Sequence, residues 1–168
     1  MAETKHLDTV VIDFLRRRIT QICPNQIREC LAELTDEQLW WRPNDESNSV
    51  GNLILHVSGS TRHYLCRAIG RFDYKRDRPA EFSERGPVPR EQLLAIFNKT
   101  ITQAEASFDS FDPAKLLSGT EEPDYYATLV EQMGGVAFHL AIHTGQIIYA
   151  TKLLKEGSLD ELWIKAHG

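Results

Sequence analysis

Apolar positions recur at helical spacing in four long stretches of the chain. From Leu7 to Leu34 the residues Val11, Leu15, Ile19, Ile22, Ile27, Leu31 and Leu34 follow one drifting stripe and predict a first helix. Pro24 lies inside that stripe without a backbone N–H, so a kink or break is expected near Ile22 and Cys23. Thr35-Asp36-Glu37 predicts a capped helical turn carrying Leu39, Trp40 and Trp41, ended by Arg42-Pro43. The two indoles face different ways; one is expected in the core, the other over a helix end or an interface. With Asn48 or Ser49 as N-cap, a second helix runs to about Ile69 on Leu53, Val57, Tyr64 and Leu65. The charged, breaker-rich residues 70–89 read as a long connection. About 20 extended residues can span some 60 Å, against about 30 Å for a helix of that length, so helices two and three are free to run parallel. Such a connection is also a candidate for covering a pocket mouth.

A third helix, from Pro89 or Arg90 to about Phe108, carries Leu93, Phe97, Ile101 and Ala104. A second connection follows over 111–127, with a helical turn expected around Ala114 to Leu117. The fourth helix spans Leu129 to Leu154, and Gly157 is its expected C-cap. Leu159, Leu162 and Trp163 then form a short tail that docks on the body or on a partner. Without strands or repeats, four such segments predict an all-α four-helix bundle in one domain, residues 1–168.

Composition narrows the function. The chain has 168 residues, 42% of them hydrophobic, which suffices for a core in one domain. A net charge of -5 argues against nucleic-acid and anionic-membrane partners, and Arg16-Arg17-Arg18 reads as a solvated face. No window approaches the about 18 apolar residues of a membrane span, and Met1 to His6 lacks a signal-peptide core, so the expected location is the cytoplasm. The three cysteines suit it: Cys23 and Cys30 sit seven apart, about 10 Å along a helix and too far for a disulfide. With Cys66 they read as buried small hydrophobes rather than catalytic thiols.

The chemistry concentrates on helix four. His139 and His143 lie four apart, on one face, where two ring nitrogens can converge on a cation. Leu140 stands where a zinc protease helix carries Glu, which excludes that motif. His56, in the apolar stripe of helix two, is the candidate third ligand, against the plainer reading of a core histidine. His63 reads as a partly exposed polar residue. In a bundle, His56 and the pair on helix four can face each other across the core, giving three imidazoles and an open coordination position.

Three segments, Trp40-Trp41-Arg42-Pro43, Asn48 through His56, and His139-Leu140-Ala141-Ile142-His143-Thr144-Gly145-Gln146-Ile147, resemble the DinB-like family, in particular a subfamily with an HTGQI motif on helix four. The resemblance spans nearly the whole chain. It implies an up-down-down-up bundle, often homodimeric, that binds zinc or nickel through His56, His139 and His143. Relatives in the wider superfamily are S-transferases using low-molecular-weight thiols, and a thiol-dependent isomerase.

Three neutral imidazoles leave a dication uncompensated, which favours a thiolate or a hydroxide in the open position. Two enzyme readings follow: a metal-bound thiolate transferred to an electrophile, or metal-dependent hydrolysis of an amide or ester. No Asp or Glu lies within a turn of the histidine pair to serve as base, which favours thiol transfer. Asn52 and Gln146, each about a turn from a candidate ligand, are expected to orient an imidazole or a bound water by hydrogen bonds. The rival from another class is a non-catalytic metal-binding or interaction bundle whose partner surface includes Trp41 or Trp163.

Overall fold

A computed structural model describes residues 6–122, 124–157 and 159, and these form helices joined by irregular segments. In chain order the helices are α1 (Leu7–Arg17), α2 (Cys23–Glu33), α3 (Asp36–Leu39), α4 (Val50–Thr61), α5 (Arg78–Ser83), α6 (Arg90–Asp109) and α7 (Leu129–Leu154). The sole pairing of extended backbone among the described residues is an isolated antiparallel bridge between Gly119 and Thr128.

The first predicted helix is continuous through Pro24. A π-helical turn, Arg18–Ile22, joins α1 to α2, and the Cys23 N–H bonds the Arg18 carbonyl five residues back. That wide turn absorbs the register change forced by Pro24, which sits in the first turn of α2 where its missing N–H costs least. A second π turn, Arg62–Arg67, extends α4 with helical backbone on both sides. The N-caps of α3, α4 and α7 have a sequence reason. Thr35 and Gln38 form a capping box on α3, Ser49 caps α4, and Thr128 and Glu131 form a capping box on α7. Helix α7 ends with Lys155 as an extended C-cap; Gly157, at φ 77°, lies two residues further on and makes the turn after the helix rather than capping it.

Side-chain pairs give the directions of packing. Arg16 bonds Glu105 while Arg28 bonds Asn98, so α1 and α2 run antiparallel to α6. Cys23 meets Thr144 and Cys30 meets Thr151, so α2 runs parallel to α7. Leu55 lies near Ile96 and Arg62 bonds Gln103, so α4 and α6 are parallel, as the long connection between them permits. Gln132 bonds the Tyr64 carbonyl while His56 meets His139, which makes α4 and α7 antiparallel. The four long segments therefore run up, down, down, up around a core that includes Ile19, Ile27, Leu31, Ile54, Leu93, Phe97, Met133, Leu140 and Ile147.

Several sequence expectations change. The 70–89 connection is not without structure: Asp77 caps α5, whose Glu81 is buried in the bundle. Arg16 is not merely solvated, since it pairs with Glu105 at 2.6 Å and Asp109 at 2.7 Å and ties α1 to α6. Pro113–Lys115 is a short 3-10 turn capped by Asp112. Trp40 is the core indole, donating to the Val88 carbonyl at 3.0 Å, and Trp41 is the exposed one. In the tail Leu159 is buried, whereas Leu162 and Trp163 lie outside the described residues. All three cysteines are free and buried, and burial pushes the Cys66 thiol up to about 12 and Cys30 to about 11, which keeps both unreactive. No helix among the described residues is long and apolar enough to cross a membrane.

Candidate functional site

His56 enters the core from α4, and α7 presents His139 and His143 one turn apart from the facing side. His139 Nε2 lies 2.9 Å from His56 Nε2 and 3.1 Å from His143 Nε2, so His139 is the centre of the group. Each of the three residues offers a ring nitrogen, and these all lie within 4.8 Å of one another. A tetrahedral zinc with bonds of about 2.0–2.1 Å needs ligand nitrogens about 3.3 Å apart, so small side-chain rotations suffice to fit an ion.

The outer nitrogens carry the orientation. His56 Nδ1 is 2.8 Å from Glu81 Oε2, and His143 Nδ1 is 2.6 Å from Gln146 Oε1. Both partners are acceptors, and the donor Arg76 Nη2 lies further from His56 Nδ1, at 3.3 Å, so the arrangement favours a proton on each Nδ1 and a lone pair on each inward Nε2. That is the tautomer a metal ligand requires, held by the acceptor arrangement common around metal-binding histidines.

Glu81 is held in turn. Arg76 grips its carboxylate with Nε at 2.7 Å and Nη2 at 2.8 Å, and both side chains are largely buried. Burial pushes the Glu81 carboxyl up, but hydrogen bonds from His56 and Arg76 outweigh it and leave the group below its ordinary value. Glu81 is therefore an anion with both oxygens engaged. Gly59 makes room for it: a Cβ there would lie 2.1 Å from Glu81 Oε1.

Asn52 works differently from the sequence expectation. It touches no imidazole. Fully buried, it donates to the carbonyls of Glu81 at 3.0 Å and Glu84 at 2.9 Å, and accepts from Arg42 at 2.7 Å and Ser49 at 2.8 Å. It fastens the backbone of α5, and so acts on His56 through Glu81. Gln146 does contact its imidazole directly. His63 stands apart from the cluster and pairs with Glu122 at 3.3 Å.

Glu81 and Arg76 were missed in the sequence because they sit where no periodicity runs. The available signal was local: Asp77 followed by Pro79 and Glu81 is a helix-start pattern.

Burial, with help from His143, His56 and Arg76, lowers His139 to about 4, and burial likewise lowers His143. The unfolded chain, with ordinary histidines, takes up protons at a pH where the folded one does not. Stability of the metal-free protein should therefore fall as pH drops from about 6.5 towards 4. Melting temperatures at pH 7.5 and pH 5 check this; equal values in the metal-free protein, or an equal drop in His139→Ala, would contradict it.

Beside the cluster opens a cleft of about 500 Å³ whose lining includes His56, His139, Arg78 and Tyr125. The volume is that of a small-molecule site.

The comparisons with known proteins agree with this architecture. A crystal structure titled as the conserved protein of locus from Enterococcus faecalis superposes with a TM-score of 0.64 at 15% identity, covering 91% of this chain and 98% of that one; at that identity it speaks for the fold alone. No curated protein matches the chain. The model of the DinB superfamily matches residues 20–147, a span that holds His56, His139 and His143, and the chain belongs to that superfamily.

Proposed function

We propose that the protein is a divalent-metal-dependent enzyme that uses His56, His139 and His143 as ligands and performs thiol S-transferase-like chemistry. The observation that carries the reading is the convergence of ring nitrogens from His56, His139 and His143 within 4.8 Å, with the outer nitrogens of His56 and His143 held by Glu81 and Gln146. Zinc or nickel bound there would supply the charge that keeps a low-molecular-weight thiol as thiolate, or water as hydroxide in the hydrolytic alternative.

Thiol transfer is favoured because no carboxylate lines the cleft among the described residues, and the nearest one, Glu81, has both oxygens engaged. A hydrolase needs a group to receive the water's proton. A thiol, with an ordinary pKa of about 8.5 against about 15.7 for water, would give its proton to bulk solvent as a metal at the site bound it, so no dedicated base is needed and the chain's own part would be to exclude water and position the electrophile. The sulfur would then bond to the electrophilic carbon as the leaving group departed with its electron pair. The test is loss of free thiol with a panel of small thiols and electrophiles, comparing stripped with zinc- or nickel-reloaded protein. Metal-dependent consumption is expected. Ester or amide cleavage without thiol would shift the assignment to hydrolysis, and no metal-dependent turnover would leave a binding bundle.

The same reading makes the protein a homodimer. Phe138, Ile142, Tyr149 and Leu153 are exposed along one side of α7, and no described residue lies within 4 Å of a Cβ placed on Gly134 or Gly145, so a second helix can approach closely. Light scattering should give twice the 19.2 kDa chain mass, with Ile142→Glu returning the monomer. A monomer at high micromolar concentration would refute it.

A further inference from the structure

The cleft beside the histidines has a polarity that the proposed function does not use. Its lining brings His56 and His139 together with Ser60, Tyr64, Tyr126 and Arg78. Among the described residues no acid lines it; Glu122, whose charge reaches Tyr64 and Tyr126, is paired with Arg67, and Arg78 makes no ion pair. The Arg78 guanidinium lies 5.1 Å from the Phe82 ring centre, a cation–π contact that holds an exposed charge near one place. Arg76, the other arginine of the cleft, is neutralised by Glu81. The net field on the cleft is therefore positive, more so with a dication at the histidines.

The walls add shape and hydrogen bonding. Tyr64, Tyr125 and Tyr126 form an aromatic cluster, with ring centres 5.9 to 6.4 Å apart. Tyr126 is seated against α7 where only glycine fits, since a Cβ on Gly135 would lie 2.4 Å from its ring. The hydroxyls of Ser60, Tyr64 and Tyr126 make no hydrogen bond to any described residue. Ser60, 6% exposed as a residue, lies on the cleft lining beside the two tyrosines.

We propose that this cleft binds a substrate with a flat apolar body and an anionic oxygen group of the carboxylate class, the anion meeting Arg78 and the free hydroxyls while the body lies against the tyrosines. The proposal rests on the metal reading only for which end reacts: the end towards His139 is presented to the site, and the anion is held away from it. A guanidinium with neighbouring hydroxyls selects a carboxylate over a neutral amide of the same shape, because the amide gives Arg78 no charge to pair.

The probes are 2-naphthoate and its neutral counterpart 2-naphthamide, titrated calorimetrically into metal-free and zinc-loaded protein. The carboxylate should bind about tenfold tighter than the amide in both states, and Arg78→Gln should remove that preference with the amide unchanged. Tyr126→Ala should weaken both probes about equally. A carboxylate preference that survives Arg78→Gln, or one seen only with zinc, would place the anion on the metal and overturn the proposal, as would equal binding of the two probes. Should the protein take up no zinc yet show the Arg78-dependent preference, the cleft assignment stands and the metal reading alone fails.

Discussion

His139→Ala should cost the protein its metal more completely than any other single substitution. His139 is the residue that both other imidazoles face, at 2.9 Å from His56 and 3.1 Å from His143. Without it, two nitrogens remain on opposite sides of a gap, and a two-ligand site on two helices cannot enforce a coordination geometry. Loss of an outer-shell partner typically weakens metal binding 10- to 100-fold, so loss of a central ligand should weaken zinc or nickel by more than about 100-fold. Elemental analysis of untagged protein checks it: near one ion per chain in the parent, and a small fraction of that in His139→Ala and in the triple variant His56→Ala, His139→Ala, His143→Ala. The fold should persist, because His139 is only half-buried and its removal relieves crowding among neutral imidazoles. Equal metal content in parent and variants, or none in the parent after reconstitution with both ions, would end the metalloenzyme reading.

The histidines were legible in the sequence for a physical reason. His139 and His143 share a helix, where a four-residue spacing sets direction before any tertiary contact is known, and the boundaries Leu129 and Leu154 followed from periodicity; the structure adds the Thr128 and Glu131 capping box at the start. His56 became meaningful once the bundle put α4 opposite α7. The rest depended on long-range contacts that a linear pattern does not carry. Asn52 is one turn before His56, which suggested contact with an imidazole, yet its amide points to the carbonyls of Glu81 and Glu84, 29 and 32 residues away. The connection over 70–89 had the composition of a loop because its short helix is buried by one acidic side chain rather than by an apolar stripe. The site therefore has two layers: ligand candidates written in helical spacing, and a supporting ion pair that depends on how a connection folds back.

That supporting layer gives the largest expected change in stability. Glu81→Ala leaves the Arg76 guanidinium, only 11% exposed, without its carboxylate, and takes from His56 the acceptor that sets its tautomer. Removing one partner of a buried pair typically costs about 3–5 kcal/mol, because the remaining charge stays desolvated. For a domain of this size the melting temperature of the metal-free protein should fall by roughly 10 °C. Replacing both partners with apolar residues, Arg76→Met with Glu81→Leu, should recover much of that loss, since the penalty comes from the stranded charge. Metal affinity should not recover with it, because His56 would still lack its acceptor. Gly59→Ala separates the two effects from the other side. Its new Cβ displaces the carboxylate end without removing the charge, so Arg76 can follow it, and zinc binding should weaken about 10- to 100-fold with a smaller thermal penalty than Glu81→Ala. Thermal melts and zinc titrations on these three variants test the scheme together. Unchanged zinc affinity in both Glu81→Ala and Gly59→Ala would mean that the carboxylate serves only the fold and does not orient His56.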